Sequence, residues 1–380
     1  MSGTADGADR LARAALSRLT EPGDPRVAAL VAELGAEEVY AHARAGRDLH
    51  GLLPELAVRL PGCDPDRELA RAHELGIRFV VPGDSEWPAS LADLAAIEPL
   101  QALGGAPLGL WVRGPLRLDQ LGRSVAVVGS RSATTYGGAV ASDLAATAAR
   151  EGLCVVSGAA FGIDQAAHRG AVAAGGASVA VLACGADRIY PAAHRQLLDF
   201  LAREGAVVSE AALGGAPTRV RFLSRNRLIA ALTQGTVVVE AAVRSGALNT
   251  ANWAARLHRH LMGVPGPVTS APSAGVHQLI RTGAATLVTS GQEVLEVLGT
   301  AGEHLLDEPR GRERSRDRLS RRHQRVLEAV PLARGAGADS VARTAGLSLL
   351  EVSSALAALQ RSGYVEQDED GWRLAALAHD

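Results

Sequence analysis

The chain has 380 residues, 47% hydrophobic and 21% charged, which is the composition of a globular protein of two or three domains. Its formal net charge is −2, and none of its 39 basic residues is lysine; a P-loop ATPase and a Schiff-base pyridoxal enzyme each need one, so both are excluded. No run of about 18 apolar residues is present, the stretch Met1–Leu11 is too polar for a signal peptide, and Cys63, Cys154 and Cys184 lack CxxC spacing, so we expect no membrane span, no metal, no cofactor and a reducing cytoplasm.

Residues 1–75 carry helical periodicity. Leu11, Ala15, Leu16 and Leu19 share one helix face, and Val27, Leu30, Val31 and Leu34 repeat the pattern before Gly35, which predicts a small helical domain. Residues 76–120 are punctuated by Pro82-Gly83, Trp87-Pro88, Gly104-Gly105 and Gly114-Pro115. From there to residue 299, apolar runs alternate with Ala-rich helical stretches such as Gly137–Glu151 and Gln165–Ala174. The runs are Val125–Val128, Cys154–Val156, Val179–Leu182, Val207–Val208, Val237–Val239 and Leu261–Val264. This predicts an α/β fold, a doubly wound, mostly parallel sheet whose ligand crevice lies beyond the carboxyl ends of the strands. A charged linker follows, and then a last domain with helices at His323–Val330, Asp339–Ala345 and Leu349–Ser362 and a hairpin at Val365–Leu374, a winged-helix pattern. Its third helix has no Arg before Arg361 and its hairpin is acidic, which favours protein contact over duplex DNA.

The strand ends carry the candidate site. Gly129, Ser130 and Arg131 open a small-residue loop before a helix, where backbone amides, the positive helix end and a guanidinium can hold a phosphate. The loop is not GxGxxG and no acid follows the second run, so nicotinamide chemistry is not expected. Asp164 is read as a helix cap, and its pairing with His168 as structural. Residues 219–227 hold four Arg and Phe222 in a chain with 3% aromatics, the mixture that tracks a single-stranded backbone and stacks a base. A helical stagger would bury some of these Arg against acids such as Glu210 or Glu240. Arg225 and Arg227 are therefore expected to be partly structural, and Arg219 and Phe222 more exposed. Ser245 and Gly246 add a small polar loop beyond the fifth run. Residues 121–300 hold 15 Arg against 10 acids, whereas the remainder holds 24 against 31, so the candidate ligand-binding part is the basic one.

The ordered stretches VAVVGSRSATTYG, SGAAFGIDQAAH, Tyr190-Pro191, FLSRNRLIAAL, VVVEAAVRSGALNTA and VPGP resemble the DprA/Smf family of DNA-processing proteins. The resemblance implies a SAM-like helical domain at 1–75, an extended Rossmann-like domain at 76–300, a linker at 301–323 and a winged helix at 324–380. It implies a non-catalytic, homodimeric protein that binds single-stranded DNA, protects it during natural transformation and loads the RecA recombinase. By motif, Gly129, Ser130 and Arg131 would hold a phosphate, Arg219 and Phe222 would contact backbone and base, and Arg225, Asn226 and Arg227 would shape the pocket floor. Two positions depart from the family pattern: Phe161, where Arg is frequent, and His194, where Asn is common. The competing reading is a phosphoribohydrolase-like nucleotide-processing enzyme with Glu240 or Asp164 as its acid. It lacks that group's PGGxGT-type loop.

Overall fold

In a computed structural model, the described residues are 7–48, 51, 53–306 and 315–379. They fall into two compact units, Met1–Leu306 and Asp307–Asp380.

The first unit is built on nine strands: β1 (Ile77–Val80), β2 (Leu110–Arg113), β3 (Ser124–Val128), β4 (Cys154–Ser157), β5 (Ser178–Leu182), β6 (Ala206–Ser209), β7 (Gly235–Val238), β8 (His260–Gly263) and β9 (Thr286–Leu287). Their order in the sheet is β1-β2-β6-β5-β4-β3-β7-β8-β9. The seven strands from β6 to β9 run parallel, and β2 and β1 extend the β6 edge antiparallel. All six apolar runs read from the sequence lie in β3 to β8, within a residue at their ends.

The continuous hydrophobicity of these runs has a direct cause, because helices cover both faces. Val125 and Val127 pack against the helices Thr135–Arg150 and Ile163–Ala173, while Ala126 and Val128 pack on the other side against Arg219–Ala231 and Ala247–Arg256. Each fully buried valine contributes about 1.5–3 kcal/mol. Gly170 lets the first two helices touch, since a Cβ there would run into the Ser142 carbonyl. The strands β1, β2 and β9 were not visible in the sequence. They are two to four residues long, and the first two sit among turn residues.

The N-terminal segment forms helices Gly7–Leu19, Pro25–Leu34, Ala36–Arg44 and Pro65–Glu74, with a core around Leu16, Leu19, Val27, Leu30 and Val39. It also shares a core with the sheet edge, where Ala14 and Ala72 meet Phe79, Trp111 and Leu213. Arg10 pairs with Asp84 at 2.6 Å, Arg18 with Glu68 at 2.6 Å, and the Trp111 indole donates to the Ser17 hydroxyl at 3.2 Å.

The second unit has helices Arg321–Ala329, Ala338–Ala345 and Leu349–Arg361, then the antiparallel pair β10 (Val365–Asp368) and β11 (Gly371–Leu374). Val326, Val341, Val352, Leu356 and Leu359 form its core. The first helix starts two residues before its apolar pattern because the Ser320 hydroxyl accepts the His323 amide and fixes the helix start there. The expected linker 301–323 therefore ends in helix, and residues 307–314 of it lie outside the described residues.

Candidate nucleic-acid interface

The strand order turns at β3, with β4, β5 and β6 on one side and β7 and β8 on the other. Such a reversal opens a crevice at the carboxyl ends of the central strands. Here it has a volume of about 960 Å³, the upper end of small-ligand pockets, which span roughly 300–1,000 Å³. Nine of the ten expected site residues line it: Gly129, Ser130, Arg131, Arg219, Phe222, Arg225, Asn226, Ser245 and Gly246. Arg227 does not.

The loop after β3 is held by several internal contacts. Gly129 is small for packing reasons, because a Cβ there would lie 2.6 Å from Ile163 and 2.8 Å from the Glu240 carbonyl. The Ser130 amide donates to the Glu240 carbonyl at 2.7 Å, and the Ser132 amide donates to the Ser130 hydroxyl at 3.2 Å. The buried Glu240 carboxylate accepts from the Thr134 amide at 2.9 Å and from the Thr134 hydroxyl. A side chain at Gly137 would collide with it. The protein's own acid thus occupies the positive start of helix Thr135–Arg150, and the Ser130, Ser132 and Thr134 amides are committed internally. What the loop offers the crevice is the exposed Arg131, whose guanidinium lies 4.4 Å from the Phe222 ring centre.

Helix Arg219–Ala231 starts at Thr218, whose hydroxyl accepts the Arg221 amide at 3.3 Å, and it carries no acid in its first turn. Arg219, Phe222, Leu223 and Asn226 follow i, i+3, i+4, i+7 spacing and line the crevice together. The four Arg have different fates. Arg219 is exposed. Arg221 pairs with Glu21 at 2.8 Å; burial pushes that carboxyl up, but Arg221 and Arg59 hold it below its usual range. Arg225 is buried and donates to the carbonyls of Gly158 and Val181 at 2.6 and 2.5 Å. Burial lowers its pKa to about 10 against the opposing charge of Asp164. A side chain at Gly158 would displace its guanidinium.

Arg227 departs from the expected DNA-binding set. It is wholly buried, forks onto Glu210 at 2.6 and 2.7 Å, and donates to the Gly105 carbonyl at 3.1 Å. Glu210 was one of the two partners foreseen for a buried Arg; Glu240 holds Thr134 instead.

Beyond β7, Ser245 accepts the Ala247 amide at 3.4 Å. The Asn226 amide group donates to the Gly246 carbonyl at 3.3 Å and to Asn249 Oδ1 at 3.2 Å, tying the two crevice walls together. The same loop presents Arg244, a crevice residue that the motif reading passed over although it stands one place before Ser245. Gln101 also lines the crevice and had no signal, since only the fold brings its loop there. Among the described residues, Arg131, Arg219 and Arg244 have no carboxylate partner.

Acid–base groups are poorly placed by contrast. Asp164 is not the helix cap, which is Gly162. It is buried and accepts the Ala160 amide at 3.3 Å, and burial pushes its carboxyl up against the charge of Arg225. His168 binds the Ser178 hydroxyl at 2.7 Å rather than Asp164, and burial lowers its pKa to about 3, so it is neutral. Among the described residues, no cluster of His, Cys, Asp and Glu could hold a metal ion, and no helix is long and apolar enough to cross a membrane.

Residues 78–299 match the sequence model of the family described as DNA recombination-mediator protein A. The chain is 43% identical over 94% of its length to a Mycobacterium tuberculosis protein that bears the DprA name, covering 92% of that protein. It is 36% identical to protein Smf of Escherichia coli over 79% of this chain and 78% of the relative. The X-ray structure of DprA from Streptococcus pneumoniae is similar over 77% of this chain and 98% of that one, with 30% identity and a TM-score of 0.63. A DprA structure from Helicobacter pylori, described for its single-stranded DNA binding mode, matches over 58% of this chain and 95% of that one, at 25% identity and a TM-score of 0.51. The α/β fold with its mostly parallel sheet is therefore the DprA fold, and the chain belongs to the DNA recombination-mediator protein A family.

Proposed function

We propose that this protein binds single-stranded DNA in the crevice without catalysing a reaction on it. The observation that carries the reading is the set of three unpaired cations, Arg131, Arg219 and Arg244, around the part-buried Phe222 ring. Leaving three guanidiniums unneutralised in one concave site makes sense for a polyanion, and a flat ring among them suits a base. Arg131 and Arg219 take phosphates, a base stacks at Phe222, and Arg225 and Asn226 hold the floor in shape. The relatives' DNA-processing names and the single-stranded DNA of the Helicobacter pylori protein support the same reading. Protection of DNA in transformation, delivery to RecA, action as a homodimer in the cytoplasm, and a winged-helix role in protein contact complete it. A dimer would join two crevices and raise avidity.

The phosphoribohydrolase-like alternative needs a free acid in the crevice. Glu240 is engaged with Thr134, and Asp164, though it lines the crevice, is only 6% exposed and accepts the Ala160 amide, so neither is a free acid.

Fluorescence anisotropy over a salt series, single strand against duplex, tests the proposal. Tighter binding of the single strand is expected, with a negative salt slope. Phe222→Ala should lose about 1–3 kcal/mol, and Arg131→Ala should weaken binding as well. Equal or better duplex binding that neither variant alters would refute it.

A further inference from the structure

Beside the crevice lies a smaller pocket lined by Phe161, Cys184, Tyr190 and Pro191 and, again, by Arg131 and Phe222. Those last two residues, with Ala160, line both spaces and form their common wall. Phe161 stands in the loop after β4 and Tyr190 in the loop after β5, so two further strand ends each deliver a ring to the place where helix Arg219–Ala231 delivers Phe222. Phe161 is 48% and Tyr190 42% exposed, in a chain with only four Phe and four Tyr. The rings are nevertheless held. Phe161 packs edge-on against the buried His194, with centroids 4.6 Å apart, and Tyr190 lies 5.8 Å from Phe222. His194 is fixed in turn by a hydrogen bond to the Ala159 carbonyl at 3.0 Å.

An isolated exposed ring is ordinary. Two that line one pocket with a third, beside a guanidinium without a carboxylate partner, form a surface with a preferred occupant. The pocket wall is apolar apart from Arg131 and encloses only about 30 Å³, so a flat ring would lie across the exposed rings at its mouth rather than enter it. Stacking on aromatic faces accepts any base. The separation between Tyr190 and Phe222 lies within the ordinary range for interacting rings, so a strand leaving the crevice over Phe222 meets the pocket directly.

We infer that this pocket is a second base-stacking site, which receives the next nucleotide of the strand bound in the crevice. The inference rests on the single-strand reading above and extends it.

The test uses the full chain and oligothymidylates carrying 5-iododeoxyuridine at one position, moved along the strand and cross-linked by light. One position should join to the peptide containing Phe222, and its neighbour to a peptide containing Phe161 or Tyr190. In anisotropy titrations, Phe161→Ala and Tyr190→Ala should each weaken binding about 5-fold or more, and Phe161→Trp should restore it. Cross-links confined to the crevice, with both alanine variants binding as wild type does, would overturn the second site and leave the crevice standing. That outcome would turn attention to a protein as the pocket's occupant. A wild-type chain that ignores the oligonucleotide would overturn both readings.

Discussion

Two helices of this molecule solve the same local problem in opposite ways. Helix Arg219–Ala231 and helix Leu349–Arg361 are both 13 residues long, and each begins at a hydroxyl residue that caps its first turn. In the second unit, Ser348 and Glu351 close a capping box, and the Ser348 hydroxyl and amide hold the Glu351 carboxyl below its ordinary range. The positive end of that helix is answered from within. In the first unit, Thr218 caps alone, no acid follows, and Arg219 adds charge to an end that is already positive. Three cations elsewhere in the second unit are also met, Arg373 by Glu366 at 2.8 Å, Arg343 by Asp339 at 3.5 Å and Arg322 by Glu351 at 3.6 Å. What distinguishes the proposed binding end from a structural one here is the absence of an acid in the first turn, since the cap chemistry is shared.

The largest expected effect separates Arg from Arg within helix Arg219–Ala231. Arg227→Ala would strand the Glu210 carboxylate in the interior and should cost about 3–5 kcal/mol in denaturant unfolding of the first unit. Arg219→Ala on the same helix should stay within about 0.5 kcal/mol of wild type. Replacing both buried partners with apolar residues, as in Arg227→Met with Glu210→Leu, should recover much of the loss. If Arg227→Ala unfolds like wild type, the pair is not holding the helix to the Gly105 loop.

That division was half legible in the sequence. The repeating β-branched runs and the Gly-rich strand ends announced the sheet and its crevice, because a strand covered on both faces must be apolar throughout. The Arg-Phe cluster raised the expectation of a binding surface, and its helical stagger implied that some Arg would need acids. Which acid goes where is a tertiary fact. Glu240 stands at the end of a strand run, as a catalytic acid might, yet the fold aims it at the amide of Thr134. Likewise Phe161 read as a missing basic contact. Its proximity to His194, the other departure from the family pattern, becomes visible only when two strand ends meet. Strands β1 and β2 were hidden for a similar reason: four residues are too few to establish a period, and the pairing of β2 with β6 and of β1 with β2 defines them.

A middle-sized effect tests the openness of the crevice. Arg131→Ala and Arg219→Ala should each remove a charged contact worth about 1.5–3 kcal/mol at low salt. Each should also make the slope of log affinity against log salt shallower by about 0.7, the single-strand value per phosphate. Arg361→Ala, at the far end of the second unit's third helix, should change neither quantity. Titrations at several salt concentrations read both numbers at once. An unaltered slope in Arg131→Ala and Arg219→Ala would mean that their charges do not meet the backbone.

The smallest effect addresses the comparison most directly, because it converts one helix end into the other. Val220 lies in the first turn of helix Arg219–Ala231, is about half exposed and belongs to no core cluster, so Val220→Glu places an acid there without removing a core residue. The helix should gain about 0.3–1 kcal/mol from the better-matched end. Single-strand affinity should fall by a similar amount, about 2- to 5-fold at low salt, and the deficit should shrink as salt screens the added charge. The opposite signs matter more than either magnitude. A cap that stabilises the fold while weakening the ligand is the signature of an end kept open for an anion. A variant that gains stability and binds the oligonucleotide unchanged would place the strand away from this helix start and leave Arg131 and Arg244 to hold it.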